Sequence, residues 1–221
     1  MANKIYLSYI LDENTPSYGN RNKFHMFKKS SIAQGDVAND SFIETTVHIG
    51  THLDMPYHFY ENGQTIEDFG VEYFNFENVL FIDIRPNYLV IKDELLEALE
   101  VINNKTRYDS IIVKTGICYS REKEVFWKEN YGFHPEIAHF VRRYFPNVRV
   151  FGFDSISVSS FANRMVGREA HKAFLDPANP ILLIEDMDLR YVDNDIRSMI
   201  VAPMRIKNSD GLPCTIIGEV E

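Results

Sequence analysis

The segment HIGTHLDMPYH at residues 48–58 places three of the chain's seven histidines and one aspartate within eleven positions, and it restricts the path the backbone can take. His48, His52, Asp54 and His58 offer imidazole nitrogens and a carboxylate, the mixed ligand set suited to Zn2+ and its first-row neighbours. All four positions share parity, so an extended chain aims them to one side. A straight strand, however, would spread His48 and His58 over about 33 Å at roughly 3.3 Å per residue. One metal centre therefore requires the segment to turn back on itself, and Gly50 and Pro56 are placed to allow it. Two other readings compete. The histidines could be unrelated solvent-facing loop residues, or His48 and His52 could form a helical HxxxH pair as in zinc proteases. The helical reading fails on context: Thr45, Thr46 and Val47 favour an extended approach, Gly50 weakens a helix, and Ile49 stands where that motif needs its glutamate base.

With 221 residues, 45% of them hydrophobic, the chain can bury a substantial core in one domain spanning residues 1–221. The net charge of −9, without a lysine or arginine run longer than two, argues against nucleic acid or an anionic membrane as partner and leaves small molecules. Cys118 and Cys214 are far apart and outside any CxxC, so no disulfide framework is expected, and both read as buried small residues in a reducing compartment. The N-terminal residues lack the pattern of a cleaved leader, and eighteen apolar residues nowhere run together. A soluble cytoplasmic protein is the expectation.

Lys4–Leu11 reads as an opening strand, followed by a loop carrying Tyr18, and Phe42–Val47 as a second strand that delivers the histidine loop. Buried strands are expected at Val79–Ile84, Ser110–Lys114, Val148–Phe153 and Ile181–Ile184, and a later strand at Ser198–Ile206, interrupted at Pro203. Lys92–Val101 and His134–Tyr144 are amphipathic, with Pro135 suited to a first helical turn; Ser120–Asn130 and Phe161–Leu175 complete the helices. Such interleaving predicts a mixed α/β domain. Two candidates for completing the site lie at element ends. His171 sits on the helix MVGREAHKAFL, and Glu185 follows ILLI where a buried strand reaches its C-terminal end, the edge that open α/β sheets use for ligands. Taken singly, a surface or packing histidine and a solvated strand-end acid are the more common explanations. Arg164 and Arg168, four apart on the His171 helix, could hold a substrate carboxylate or pair with Glu169 or Asp154. His134 and His139 read as structural or exposed.

HIGTHLDMPYHF resembles the HxGTHxDxPxHF signature of the cyclase or kynurenine formamidase (arylformamidase) family of metal-dependent hydrolases, which includes isatin hydrolases. The resemblance continues through LSYILDENTPSYG, VKTG at 113–116, GFDSISVSS at 152–160, REAHKAFL with IEDMDL, and VAPMRIKNSDGLP. It implies an α/β fold with a central mixed sheet flanked by helices, of the swivelling β/β/α type, in dimers or larger homo-oligomers. It also implies that His48, His52 and Asp54 hold a metal, with Asp54 bridging to a second that His171 and Glu185 complete, and that His58 is the catalytic acid/base. Tyr18 matches a pocket-lining aromatic, and Tyr18 and Phe59 are the candidate substrate contacts. The sequence differs from the pattern at Asp186, where a glycine commonly follows the glutamate. The implied activity is hydrolysis of a small, aromatic amide of the N-formylkynurenine class, by a metal-activated hydroxide on Zn2+ or Mn2+. Ring opening of an isatin-like lactam, or binding without turnover, are the alternatives.

Overall fold

The structure, a computed structural model, describes residues 3–220. The chain begins with β1 (Asn3–Tyr6), β2 (His25–Ser30), β3 (Asp40–Glu44), β4 (His52–Asp54) and β5 (Asn75–Phe76). Next come β6 (Val79–Asp83), β7 (Val90–Ile91), α1 (Asp93–Glu100), β8 (Ser110–Lys114), α2 (Val125–Lys128) and β9 (Gly132–Phe133). The last third holds α3 (Pro135–Tyr144), β10 (Val150–Phe153), α4 (Arg164–Phe174), β11 (Leu182–Glu185), β12 (Ile196–Pro203) and β13 (Gly211–Val220).

β6, β8, β10 and β11 lie side by side and parallel, in sequence order. Each link between them carries a helix, and right-handed crossovers stepping one way along a sheet place those helices on one face, where α3 packs against both α1 and α4. Strands covered on both faces must be apolar along their length, which is why SIIVK, VFGF and LLIE are buried throughout. Lys114 is tolerated in that core because its ammonium donates to the Val192 carbonyl at 2.7 Å. α1 buries Leu95 and Leu99; α3 starts at Pro135 under a cap from His134 and buries Ile137, Ala138 and Val141. α4 buries Gly167, Ala170, His171 and Phe174, so one helical face delivers both core and site.

The sheet then changes direction. β4 is antiparallel to β11 on one side and β13 on the other, and β13 continues to β12, β5 and β1. The mixed α/β architecture is as the sequence predicts, while several elements differ. The opening strand stops at Tyr6, with a lone bridge from Ser8 to Met187. The strand expected at 42–47 ends at Glu44 and belongs to a separate ribbon with β2, because its Phe42 and Ile43 face outward instead of joining the core. The histidine segment enters the main sheet through its own middle, as β4. The helix expected at 120–130 shortens to α2, and the one expected at 161–175 starts at Arg164. β13, the longest strand, was not anticipated. Among the described residues, no helix is long and apolar enough to cross a membrane.

Candidate metal centre

The segment 48–58 does fold back. Gly50 adopts φ +57°, β4 follows, and Pro56–His58 form a tight helical turn. The ring centroids of His48 and His52 come to 5.3 Å, and those of His48 and His58 to 4.0 Å. Antiparallel pairing sets His52 opposite Glu185 and Asp54 opposite Gly211. α4 brings in His171, whose ring stacks on Phe59 at 4.5 Å. All eight residues that the resemblance assigns to the site (Tyr18, His48, His52, Asp54, His58, Phe59, His171 and Glu185) line one cavity of about 320 Å³, as do Arg164 and Arg168. That volume is in the range of small-molecule sites.

The inner part is buried and rigidly aimed. His52 Nδ1 donates to the Gly50 carbonyl at 2.8 Å, and His171 Nδ1 to the Gly167 carbonyl at 2.9 Å. Both rings therefore turn Nε2 towards the carboxylates, as metal-binding histidines do when a backbone carbonyl fixes the other nitrogen. His52 Nε2 lies 3.4 Å from Asp54 Oδ1 and 3.5 Å from Glu185 Oε2. His171 Nε2 lies 3.5 Å from Asp54 Oδ2 and 3.7 Å from Glu185 Oε1. The Val158 amide donates to Glu185 Oε1 at 2.7 Å and the Ser157 hydroxyl at 3.3 Å, so the loop after β10 orients that carboxylate.

These residues fit a divalent ion. His52 Nε2 and Asp54 Oδ2 are buried without a hydrogen-bond partner, a costly condition for polar atoms that a cation would relieve. Donor atoms about 2.0–2.2 Å from a tetrahedral ion stand about 3.3–3.6 Å apart, close to the spacings found here. Two ligand-capable groups occur among the described residues, His52/Asp54/Glu185 and His48/Asp54/His58, and Asp54 belongs to both.

The outer part is organised by a residue that sequence reasoning missed. Asp210 Oδ2 accepts from His48 Nε2 at 2.9 Å and from His58 Nδ1 at 3.2 Å, while His48 Nδ1 donates to Asp54 Oδ1 at 2.9 Å. The only signal was an acid in the SDGLP segment; its role arises because β13, which starts at Gly211, pairs with β4. Without a metal, these contacts distort titration. Burial alone would lower the His48 pKa, but hydrogen bonds to Asp210 and Asp54 raise it to about 10. His171 is likewise opposed by burial and carried up to about 9 by Asp54 and Glu185. Burial works to raise Asp54, yet the imidazole of His171 beside it and the hydrogen bond from His48 hold it well below the usual carboxylate range. Hydrogen bonds from His48 and His58 pull Asp210 down in the same way.

Asp186 explains the departure from the glycine pattern. It sits at φ +54°, the left-handed region that favours glycine. Its buried carboxylate is gripped by Arg121, with Nε 2.8 Å from Oδ1 and Nη2 2.6 Å from Oδ2, and the guanidinium lies 3.8 Å from the centre of the Tyr9 ring. Neither Arg121 nor Asp186 lines the cavity. The remaining candidates fall elsewhere. His134 caps α3, His25 lies exposed on the ribbon, and burial drives the thiols of Cys118 and Cys214 above their ordinary range, which leaves them poor nucleophiles.

A model of the Cyclase family matches residues 5–160. The chain belongs to the Cyclase family. It is 24% identical over 198 residues to a cyclase-like protein 2 of Oryza sativa subsp. japonica, spanning 86% of this chain and 68% of that protein. It is also 24% identical over 212 residues to a kynurenine formamidase of Geobacillus thermodenitrificans, spanning 95% and 93%. Its fold matches an isatin hydrolase A from Labrenzia aggregata with a TM-score of 0.77 at 20% identity, covering 99% of this chain and 94% of that one. A predicted metal-dependent hydrolase from Bacillus stearothermophilus gives 0.78 at 19% identity, with both chains fully covered.

Proposed function

We propose that this member of the Cyclase family is a metal-dependent amidohydrolase acting on a small aromatic amide, of the aryl formamide class. The observation that carries the reading is the inner cluster. Two imidazoles locked by backbone carbonyls present Nε2 to two buried carboxylates at 3.4–3.7 Å, on the wall of a cavity of about 320 Å³. His52, Asp54, His171 and Glu185 would hold one divalent ion, Zn2+ or Mn2+, and His48 with Asp54 would reach a second. Bound there, such an ion supplies a Lewis acid and a source of hydroxide near neutral pH.

The chain's own residues do the rest. Asp210 engages His58 Nδ1, which fixes the ring and leaves Nε2 free to take up and release a proton. His58 then accepts the proton lost by the attacking water and delivers it to the departing amide nitrogen. Phe59, held against His171, gives a flat wall for an aryl ring, and Tyr18 lines the same cavity, with its hydroxyl donating to the Ser160 carbonyl at 3.4 Å. A second reading for His58 is favoured by its place in the His48/Asp54/His58 group, where it would be a ligand.

Metal analysis of protein purified without chelator, then assay against N-formylkynurenine and isatin with added Zn2+ or Mn2+, tests the proposal. Hydrolysis of the first identifies a formamidase, and hydrolysis of the second a lactam-opening enzyme like the isatin hydrolases. A metal-free, inactive protein whose His52→Ala variant behaves identically would remove the enzyme reading altogether. We further expect a homodimer or larger assembly. A two-stranded ribbon is marginal alone, and β2–β3 exposes Met26, Phe27, Phe42 and Ile43. Light scattering at two protein concentrations checks this.

A further inference from the structure

At the cavity mouth stand Arg21, Arg164 and Arg168, in a chain where acids outnumber bases 32 to 23. None of the three has a carboxylate within ion-pair distance among the described residues. The acids nearest in sequence terms are engaged elsewhere: Glu169 pairs with Lys172 at 3.6 Å. Asp154 is buried and accepts from the amides of Thr115 at 2.9 Å and Gly116 at 2.8 Å. In a protein with surplus negative charge, three guanidinium groups gathered on one cavity without an acid partner form a local positive field aimed at whatever enters.

Two of the arginines are also braced. The guanidinium groups of Arg164 and Arg21 stand 4.1 Å and 5.9 Å from the centre of the Phe161 ring, and that ring meets Tyr18 edge-on at 5.4 Å. Arg164, Arg168 and His171 follow one another at i, i+4 and i+7, so they share a face of α4. At about 1.5 Å per residue, Arg168 stands about 4.5 Å and Arg164 about 10.5 Å along the helix from His171. An aryl ring spans such a gap.

We propose that Arg164 and Arg168, assisted by Arg21, form a subsite for a carboxylate on the substrate, which makes the preferred amide an anionic one with its carboxylate an aryl ring's length from the scissile bond. The inference rests on the amidohydrolase reading for the word substrate, but the anion site stands on its own geometry. Planar guanidinium forks suit a carboxylate, and charge-assisted bonds of this kind separate anionic from neutral ligands by about tenfold or more.

Two measurements on the zinc-loaded full chain test it. The first compares kcat/KM for 4-formamidobenzoate and its neutral isostere 4-formamidobenzamide. The wild type is expected to favour the anion by about tenfold or more, R164Q/R168Q to bring the ratio near one, and R164K/R168K to restore part of it. The second measures calorimetric binding of 4-aminobenzoate against 4-aminobenzamide, which needs no turnover. If the wild type prefers the benzoate and R164Q/R168Q does not, the subsite stands even should every amide resist hydrolysis, and only the amidohydrolase reading falls. If both proteins bind the two ligands alike, or the benzoate preference survives in R164Q/R168Q, the subsite is overturned whatever the turnover. Both side chains are exposed, so melting temperatures of the variants should match the wild type.

Discussion

The inner and outer halves of the candidate site use the same side-chain types under opposite regimes. His52, Asp54, His171 and Glu185 have side chains no more than 6% exposed, whereas His48, His58 and Asp210 are 23%, 28% and 41% exposed. Inner imidazoles are held by main-chain carbonyls, which cannot swing, while outer ones share the half-exposed carboxylate of Asp210, with His48 bonded to Asp54 as well. Rigid, dry ligands suit tight capture of a cation. Solvent-side histidines tied to carboxylates can change partners and protons. Burial, not residue identity, divides the work.

Five substitutions probe that division. The largest effect is expected at the inner half: Glu185→Gln or His52→Ala should lose bound metal, measured by elemental analysis, together with measurable turnover, since each removes one of the four proposed donors. Next comes His58→Ala, expected to lower kcat about 10²- to 10⁴-fold with inner-half metal retained. Loss of metal in that variant would instead make His58 a ligand and shift the boundary between the halves. Asp210→Asn should lower kcat about 10- to 100-fold, with metal content unchanged, by releasing the orientation of both outer rings. The smallest change is Gly211→Ala. A Cβ there would lie 2.5 Å from His48 Cε1 and 2.8 Å from both ring nitrogens, so the ring must shift. A drop in kcat/KM of about tenfold is expected. If Gly211→Ala stripped metal as completely as Glu185→Gln, the halves would not be separable.

The parts legible in the sequence were those governed by local rules. β8 was read at its full extent and β6, β10, β11, α1 and α3 within a residue or two, since continuous apolar runs and a 3.6-residue period report burial directly. The bend in the histidine segment was legible too, from metal-ligand distances alone. What escaped depended on partners remote in sequence. β13 mixes buried and exposed positions without a clean period, and Asp210 gains its place only through the pairing of Gly211 with Asp54. The ribbon β2–β3 carries apolar residues outward, which inverts the usual inference from hydrophobicity to core. Asp186 was recognisable as a departure, but its backbone conformation and its bond to Arg121 were not.

That bond has an evolutionary consequence: positions 121 and 186 constrain each other's substitution. Asp186→Gly would relax the left-handed backbone yet strand a guanidinium mostly shielded from water beside Tyr9, and Arg121→Leu would strand a buried carboxylate. Either single step costs about 3–5 kcal/mol, a large part of a domain's whole stability, while the double change removes both charges together. The two sites are therefore epistatic. A lineage moving between glycine and aspartate at this position must cross a valley or change both residues at once, and Arg121 and Asp186 are inherited as a pair.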